Sequence, residues 1–186
     1  MIEETLKEIS NNFRELSLQH SGIIKEAADL MISSIVSGGK IVFCGNGGSA
    51  ADSQHLAAEL VGRYRLNREP LAAIALTTDT SILTAIGNDF SFDEIFSRQV
   101  RGLCNKNDIL YAISTSGKSH NIVLAIKEAK EKGMKTIGLT GDNGNSMEKN
   151  CDILINVPAN RPDRIQEMHI AIGQIICEII ENKFFS

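Results

Sequence analysis

Lys40-Ile-Val-Phe-Cys-Gly-Asn-Gly-Gly-Ser49 is the stretch from which the fold can be read. Its apolar run, Ile41 to Cys44, shows no alternation and empties into a turn holding three glycines. That pattern predicts a strand buried on both faces, ending in a tight loop. A helix is predicted from about residue 50 to residue 61. The same order recurs downstream: an apolar strand at residues 108–113, the small-residue loop Ser114-Thr-Ser-Gly-Lys-Ser119, then a helix to Lys132. Further strands are predicted at residues 71–76, 135–139 and 151–157, with helices at 80–86 and 92–103. Strands alternating with helices imply an α/β fold, a three-layer arrangement with a parallel sheet flanked by helices on both faces.

Ahead of this core, residues 1–37 carry apolar positions at helical spacing. Ile2, Leu6, Ile9, Phe13 and Leu16 form one series, and Ile23, Ala27, Leu30, Met31 and Ile35 a second. Two helices are predicted, the second stopped by Gly38-Gly39. A long last helix spans residues 163–183. It is apolar almost all round (Ile165, Met168, Ile170, Ile172, Ile175, Ile176, Ile179, Ile180), where a surface helix would show one stripe. Such a helix is suited to burial between subunits, so an oligomer is expected. No linker divides the chain. One domain over residues 1–186 is expected, with N-terminal helices at 1–37 and the α/β core and last helix at 38–186.

Composition excludes several classes. The chain has 186 residues, with 19 basic and 23 acidic side chains and a formal net charge of −4. General nucleic-acid binding needs a basic face, so no nucleic-acid partner is expected. No apolar run approaches the ~18 residues of a membrane span, and the nearest, residues 170–180, is interrupted by Gln174 and Glu178. The first ten residues lack the basic and apolar regions of a leader. Cys44, Cys104, Cys151 and Cys177 form no CxxC pair, which suggests neither a zinc knuckle nor a disulfide framework. A reduced, cytoplasmic protein without a membrane partner is the expectation.

Two loops invite readings that fail on spacing. Gly45-x-Gly47-x-x-Ala50 matches a loose dinucleotide fingerprint, but the region that should hold an acidic residue ~20 positions on carries Arg63, Arg65 and Arg68. Gly117-Lys118-Ser119 resembles the tail of a P-loop, but the required first glycine falls on Ala112. What the second loop offers is four hydroxyls, Ser114, Thr115, Ser116 and Ser119, ahead of a helix N-terminus. A phosphate monoester suits that arrangement. Simple N-capping by Ser116 or Ser119 is the alternative. His55 and Glu59 stand four apart on one helical face, able to bind a metal, to do acid–base work, or merely to form a solvated pair.

Cys44-Gly-Asn-Gly-Gly-Ser49, Gln54-His55 with Glu59, Arg63-Tyr64, Gly87-Asn88-Asp89, Ser114-Thr-Ser-Gly with Ser119, Leu139-Thr-Gly141 and Arg164-Ile-Gln-Glu-Met-His169 occur in that order. Together they closely resemble the bacterial sedoheptulose 7-phosphate isomerase (phosphoheptose isomerase) family of the sugar isomerase (SIS) superfamily, over roughly residues 10–182. The resemblance implies a SIS domain, flavodoxin-like or Rossmann-like. It implies isomerisation of sedoheptulose 7-phosphate to D-glycero-D-manno-heptose 7-phosphate, the first step toward nucleotide-activated heptose for surface glycans. It also implies a cytoplasmic homotetramer with active sites at subunit interfaces, and a zinc ion.

Aldose and ketose interconvert by moving a proton between C1 and C2 through an enediol, which one carboxylate can do. Glu59 is placed for it. Ser114, Thr115, Ser116 and Ser119 would hold the phosphate, Asn88 and Asp89 would read sugar hydroxyls, and Asn46, Gly47 and Gly48 would present loop groups. By resemblance, the metal set is His55, Glu59, Gln166 and position 174. The family has a histidine at 174, as metal ligand and acid–base group; this chain has Gln174. A glutamine does not ionise near neutral pH, and its amide is a poor zinc ligand, so this substitution weakens the expected zinc site. It also favours an alternative, a non-catalytic SIS protein that binds a partner protein, as replication-initiator-associating relatives do. Those relatives lack a carboxylate at the position of Glu59, so its retention favours an enzyme. An isomerase of another sugar phosphate is a further alternative.

Overall fold

The computed structural model describes residues 1–142 and 145–185. Helix α1 (Ile2–Val36) leads into strand β1 (Ile41–Gly45) and helix α2 (Gly48–Val61). Strand β2 (Ala73–Ala75), helix α3 (Thr80–Asp89) and helix α4 (Ser97–Leu103) follow. Then come β3 (Ile109–Ile113), α5 (His120–Glu131), β4 (Lys135–Thr140), the single turn α6 (Asn145–Glu148), β5 (Ile153–Asn156) and α7 (Pro162–Phe185). The five strands form one parallel sheet in the order β2-β1-β3-β4-β5. This is the flavodoxin-like doubly wound order.

The three inner strands are buried on both faces because both are covered, and β1 and β3 are apolar throughout. Ile41, Phe43, Ile109, Tyr111, Ile137 and Leu139 pack under α1, α2 and α7. Val42, Cys44, Leu110 and Ala112 pack under α4 and α5. At the sheet's other end, Asp108 accepts N–H bonds from Lys40 and Asn105 and pairs with the Lys40 ammonium, closing the start of β1 onto β3. This explains the lysine that opens the deciding stretch.

The structure departs from the sequence reading at several boundaries. Residues 2–36 are one helix, not two. The mostly polar residues 17–22, with Leu18 exposed, interrupt the apolar series without breaking the helix. Ser17 and Ser21 turn their hydroxyls back onto the carbonyls of Arg14 and Ser17, and Leu16 and Ile24 are both buried. The 92–103 segment is divided: Ser91 caps a 3-10 turn at Phe92–Glu94, and α4 begins after it. β2 is shorter than its apolar run because it is an edge strand, and Leu71 and Leu76 bury their side chains outside the ladder. α3 runs on to Asp89, started by the Asp79 carboxylate accepting the N–H of Ile82.

Candidate active site

In a doubly wound sheet, ligands bind at the carboxyl ends of the strands, where neighbouring connections leave toward opposite faces. Here that crevice lies between β1 and β3, whose last residues, Gly45 and Ile113, are paired in register. The glycine loop and α2 leave β1 on one face. The hydroxyl loop and α5 leave β3 on the other.

The glycine loop needs its glycines. Gly47 has φ +56°, where a side chain is strained. A Cβ on Gly48 would lie 2.7 Å from Nε2 of Gln166, so the Gln166 amide rests against the loop backbone. Asn46 sends its side chain across the crevice. Its Nδ2 donates to Oδ1 of Asn121, and Asn121 Nδ2 donates to Asn46 Oδ1, each at 2.9 Å.

In the second loop, the N–H of Ser114 donates to the Leu139 carbonyl and the N–H of Gly141 to the Thr115 carbonyl, fixing the loop to β4. Ser114 Oγ donates to Ser119 Oγ at 3.0 Å, and the Lys118 N–H donates to Ser116 Oγ at 3.2 Å. Ser119 occupies the N-cap of α5, yet its hydroxyl makes no capping bond. The hydroxyls are therefore arranged around a helix N-terminus that no side chain caps.

His55 and Glu59 lie on α2 with Nε2 and Oε1 3.0 Å apart. The pair is less open than a solvated one: the Glu59 side chain is 19% exposed and that of His55 50%. α2 and α7 run side by side in the same direction. Gly48 meets Gln166, Leu56 meets Gly173, and the loop after α2 meets Glu181. Gln174 therefore sits at the level of His55, whereas Gln166 sits at the glycine loop. Eleven residues separate Gly48 from Glu59, a rise of ~16 Å along α2.

The site residues expected from sequence thus fall into three groups within one chain. Asn46, Gly47, Gly48, Gln166 and the hydroxyl loop gather at the crevice. His55, Glu59 and Gln174 stand further along the α2–α7 pair. Asn88 and Asp89 lie exposed at the end of α3, where Asn88 Nδ2 donates to Asp89 Oδ1 at 2.8 Å.

The SIS domain family matches residues 5–141. The phosphoheptose isomerase of Akkermansia muciniphila is 50% identical over 177 residues, covering 95% of this chain and 93% of its own. That of Rhodospirillum rubrum is 54% identical over 163 residues, covering 88% of this chain and 87% of its own. The structure of phosphoheptose isomerase from Neisseria gonorrhoeae superposes with a TM-score of 0.92 at 44% identity, covering 97% of each chain. The chain belongs to the phosphoheptose isomerase family of SIS domains.

Against the zinc ion implied for phosphoheptose isomerases, the donors present are a poor fit. They comprise one imidazole and one carboxylate, already bonded to each other, and two neutral amides. Among the described residues, no three His, Cys, Asp or Glu side chains gather closely enough to hold an ion. The cysteines add nothing reactive: all four are free, and burial pushes their thiols up, Cys104 to about 11 and Cys151 and Cys177 to about 12.

Two polar groups near the site, Asn121 and Asp52, were missed in the sequence, and a third, His169, was read only as part of a family motif. Asn121 is 2% exposed, at a position where the helical period calls for an apolar side chain, and that mismatch was its signal. Asp52 has a buried Oδ2 without a hydrogen-bond partner, and burial pushes its carboxyl up to about 6, with His55 pulling the other way. His169 is fully buried, and burial holds its imidazole down at about 4. The Thr140 backbone offsets part of that shift, although neither ring nitrogen makes a hydrogen bond of normal geometry.

Proposed function

We propose that the protein interconverts sedoheptulose 7-phosphate and D-glycero-D-manno-heptose 7-phosphate through an enediol, in the cytoplasm, at the start of a route to nucleotide-activated heptose. The observation that carries this reading is Glu59, a half-buried carboxylate held at 3.0 Å by His55 in a chain half identical to phosphoheptose isomerases.

The hydroxyl loop and the uncapped start of α5 bind the phosphate, with oriented N–H groups and the helix dipole supplying the attraction. Glu59 takes the proton from C1 of the ketose and returns it to C2, and His55 fixes the carboxylate's orientation. Asn88 and Asp89 bind sugar hydroxyls, and Gln166 lies beside the glycine loop to bind another. Gln174 can form hydrogen bonds but exchanges no proton, so a different group moves the proton between O1 and O2.

Glu59 stands ~16 Å along its helix from the loop that opens the crevice. We read the two groups as halves of different sites, each completed by a second copy in a homotetramer. The exposed apolar side chains of Ile175, Phe90 and Phe92 support this, as does α3, which buries no residue in the single chain.

The test is direct. Purified protein is incubated with sedoheptulose 7-phosphate, and the aldose product is followed by NMR. A folded protein that yields no aldose overturns the reading. Gln174 is the observation favouring the second reading, a non-catalytic SIS protein that binds a partner.

A further inference from the structure

We propose that Asn121 is a positioning residue of this site, clasping Asn46 across the crevice so that the glycine loop keeps its register with the phosphate loop. The inference rests on the isomerase reading above. Its geometric basis is the reciprocal pair, Asn46 Nδ2 to Asn121 Oδ1 and Asn121 Nδ2 to Asn46 Oδ1, both at 2.9 Å.

The two residues belong to opposite layers. Asn46 precedes α2, which packs on one face of the sheet, and Asn121 lies in the first turn of α5, which packs on the other. Among the described residues, no other side-chain hydrogen bond joins the two loops. Gly47 and Gly48 have no side chains, and both are exposed. Asn121, in contrast, is 2% exposed, on a helix that also buries Ile122, Ala125 and Ile126, and its amide reaches Asn46. Each amide uses one donor and one acceptor on the other, so the pair specifies one distance and one orientation. It carries no charge and holds that geometry at any pH. A loop freed to drift by ~1 Å would lose on the order of a hundredfold in rate, because the reacting carbons would no longer meet the carboxylate.

The experiment compares wild type, Asn46→Ala, Asn121→Ala, the double variant and Asn121→Asp. Turnover of sedoheptulose 7-phosphate, inhibition by inorganic phosphate and thermal melting are read for each. Each alanine variant is expected to lower kcat/KM at least ~tenfold. The double variant should be no more than about twofold worse than the weaker single, because one clasp is removed only once. Inhibition by inorganic phosphate should stay within about threefold of wild type, since the phosphate loop keeps its own bonds to β4; a merely structural loss would weaken it too.

Asn121→Asp supplies a second readout within one folded protein. As a neutral acid its O–H donates to Asn46 Oδ1 and its C=O accepts from Nδ2, restoring both bonds. As a carboxylate it repels Asn46 Oδ1. Its kcat/KM relative to wild type should therefore fall as the pH rises. Full activity in Asn121→Ala, additive losses in the double variant, or an aspartate variant that tracks wild type at every pH overturns the positioning role alone. A wild type inert toward sedoheptulose 7-phosphate overturns the functional reading and the positioning role with it.

Discussion

Replacing the Glu59 carboxylate with an amide preserves its size and its contact with His55 while removing the base. Glu59→Gln should therefore keep KM and lose ~10²- to 10⁴-fold in kcat. A variant retaining more than about a tenth of kcat would have lost under ~1.4 kcal/mol of transition-state stabilisation and would remove Glu59 from the role. At position 174 the change runs the other way. Gln174→His adds a strong nitrogen ligand at the level of the His55–Glu59 pair and should tighten zinc binding measurably in a calorimetric titration of metal-free protein. Nanomolar zinc affinity in wild type, or no gain from the histidine, would show that 174 is not at the metal position. Both residues were legible in the sequence, Glu59 because a pair four apart on a helix is a local pattern, Gln174 because it departs from the family's residue. The partnership of Asn46 with Asn121 was not. Seventy-five positions separate them, and no periodicity reports which polar side chains meet across a crevice.

At the level of elements, the N-terminus of α5 decides how the phosphate is held. Ser119→Ala removes a hydroxyl that makes no capping bond, so α5 should keep its stability while KM rises. A lost bond to a charged ligand, ~1.5–3 kcal/mol, corresponds to tenfold or more. An unchanged KM with a lower melting temperature would return Ser119 to a capping role. In α7, His169 carries a pH dependence. Its pKa is near 4 folded against 6.5 unfolded, so the neutral ring stabilises the fold fully above pH 6.5, and that contribution is lost as the pH falls toward 4. The gap in urea stability between wild type and His169→Asn should narrow by up to about 3 kcal/mol from pH 7.5 to 4. A gap that stays constant would mean that His169 accepts a proton in place. Strands β1 and β3 could be read closely because a strand covered on both faces is apolar throughout. The ends of β2 and the single α1 could not, because an edge strand ends by pairing and a long helix can bond its own serines.

At the scale of the whole molecule, the exposed Phe90 and Ile175 side chains suit the proposed homotetramer. Light scattering on eluted protein should give four times the chain mass, and activity per chain should fall on dilution below the dissociation range. A monomer of full activity would refute sites shared between copies. The alternation of strands and helices was plain in the sequence, but the order β2-β1-β3-β4-β5 was not, since parallel pairing leaves no local mark. Helix α1 lies along α7 and β5. It therefore docks on a helix that is translated long after it. At ~5–20 residues per second, α1 spends on the order of ten seconds in the cell with the groove side of Leu16, Ile24, Ala27, Ala28 and Met31 bare. A chain released before α7 is translated keeps that side uncovered, so truncated products carry their own mark for chaperones and proteases.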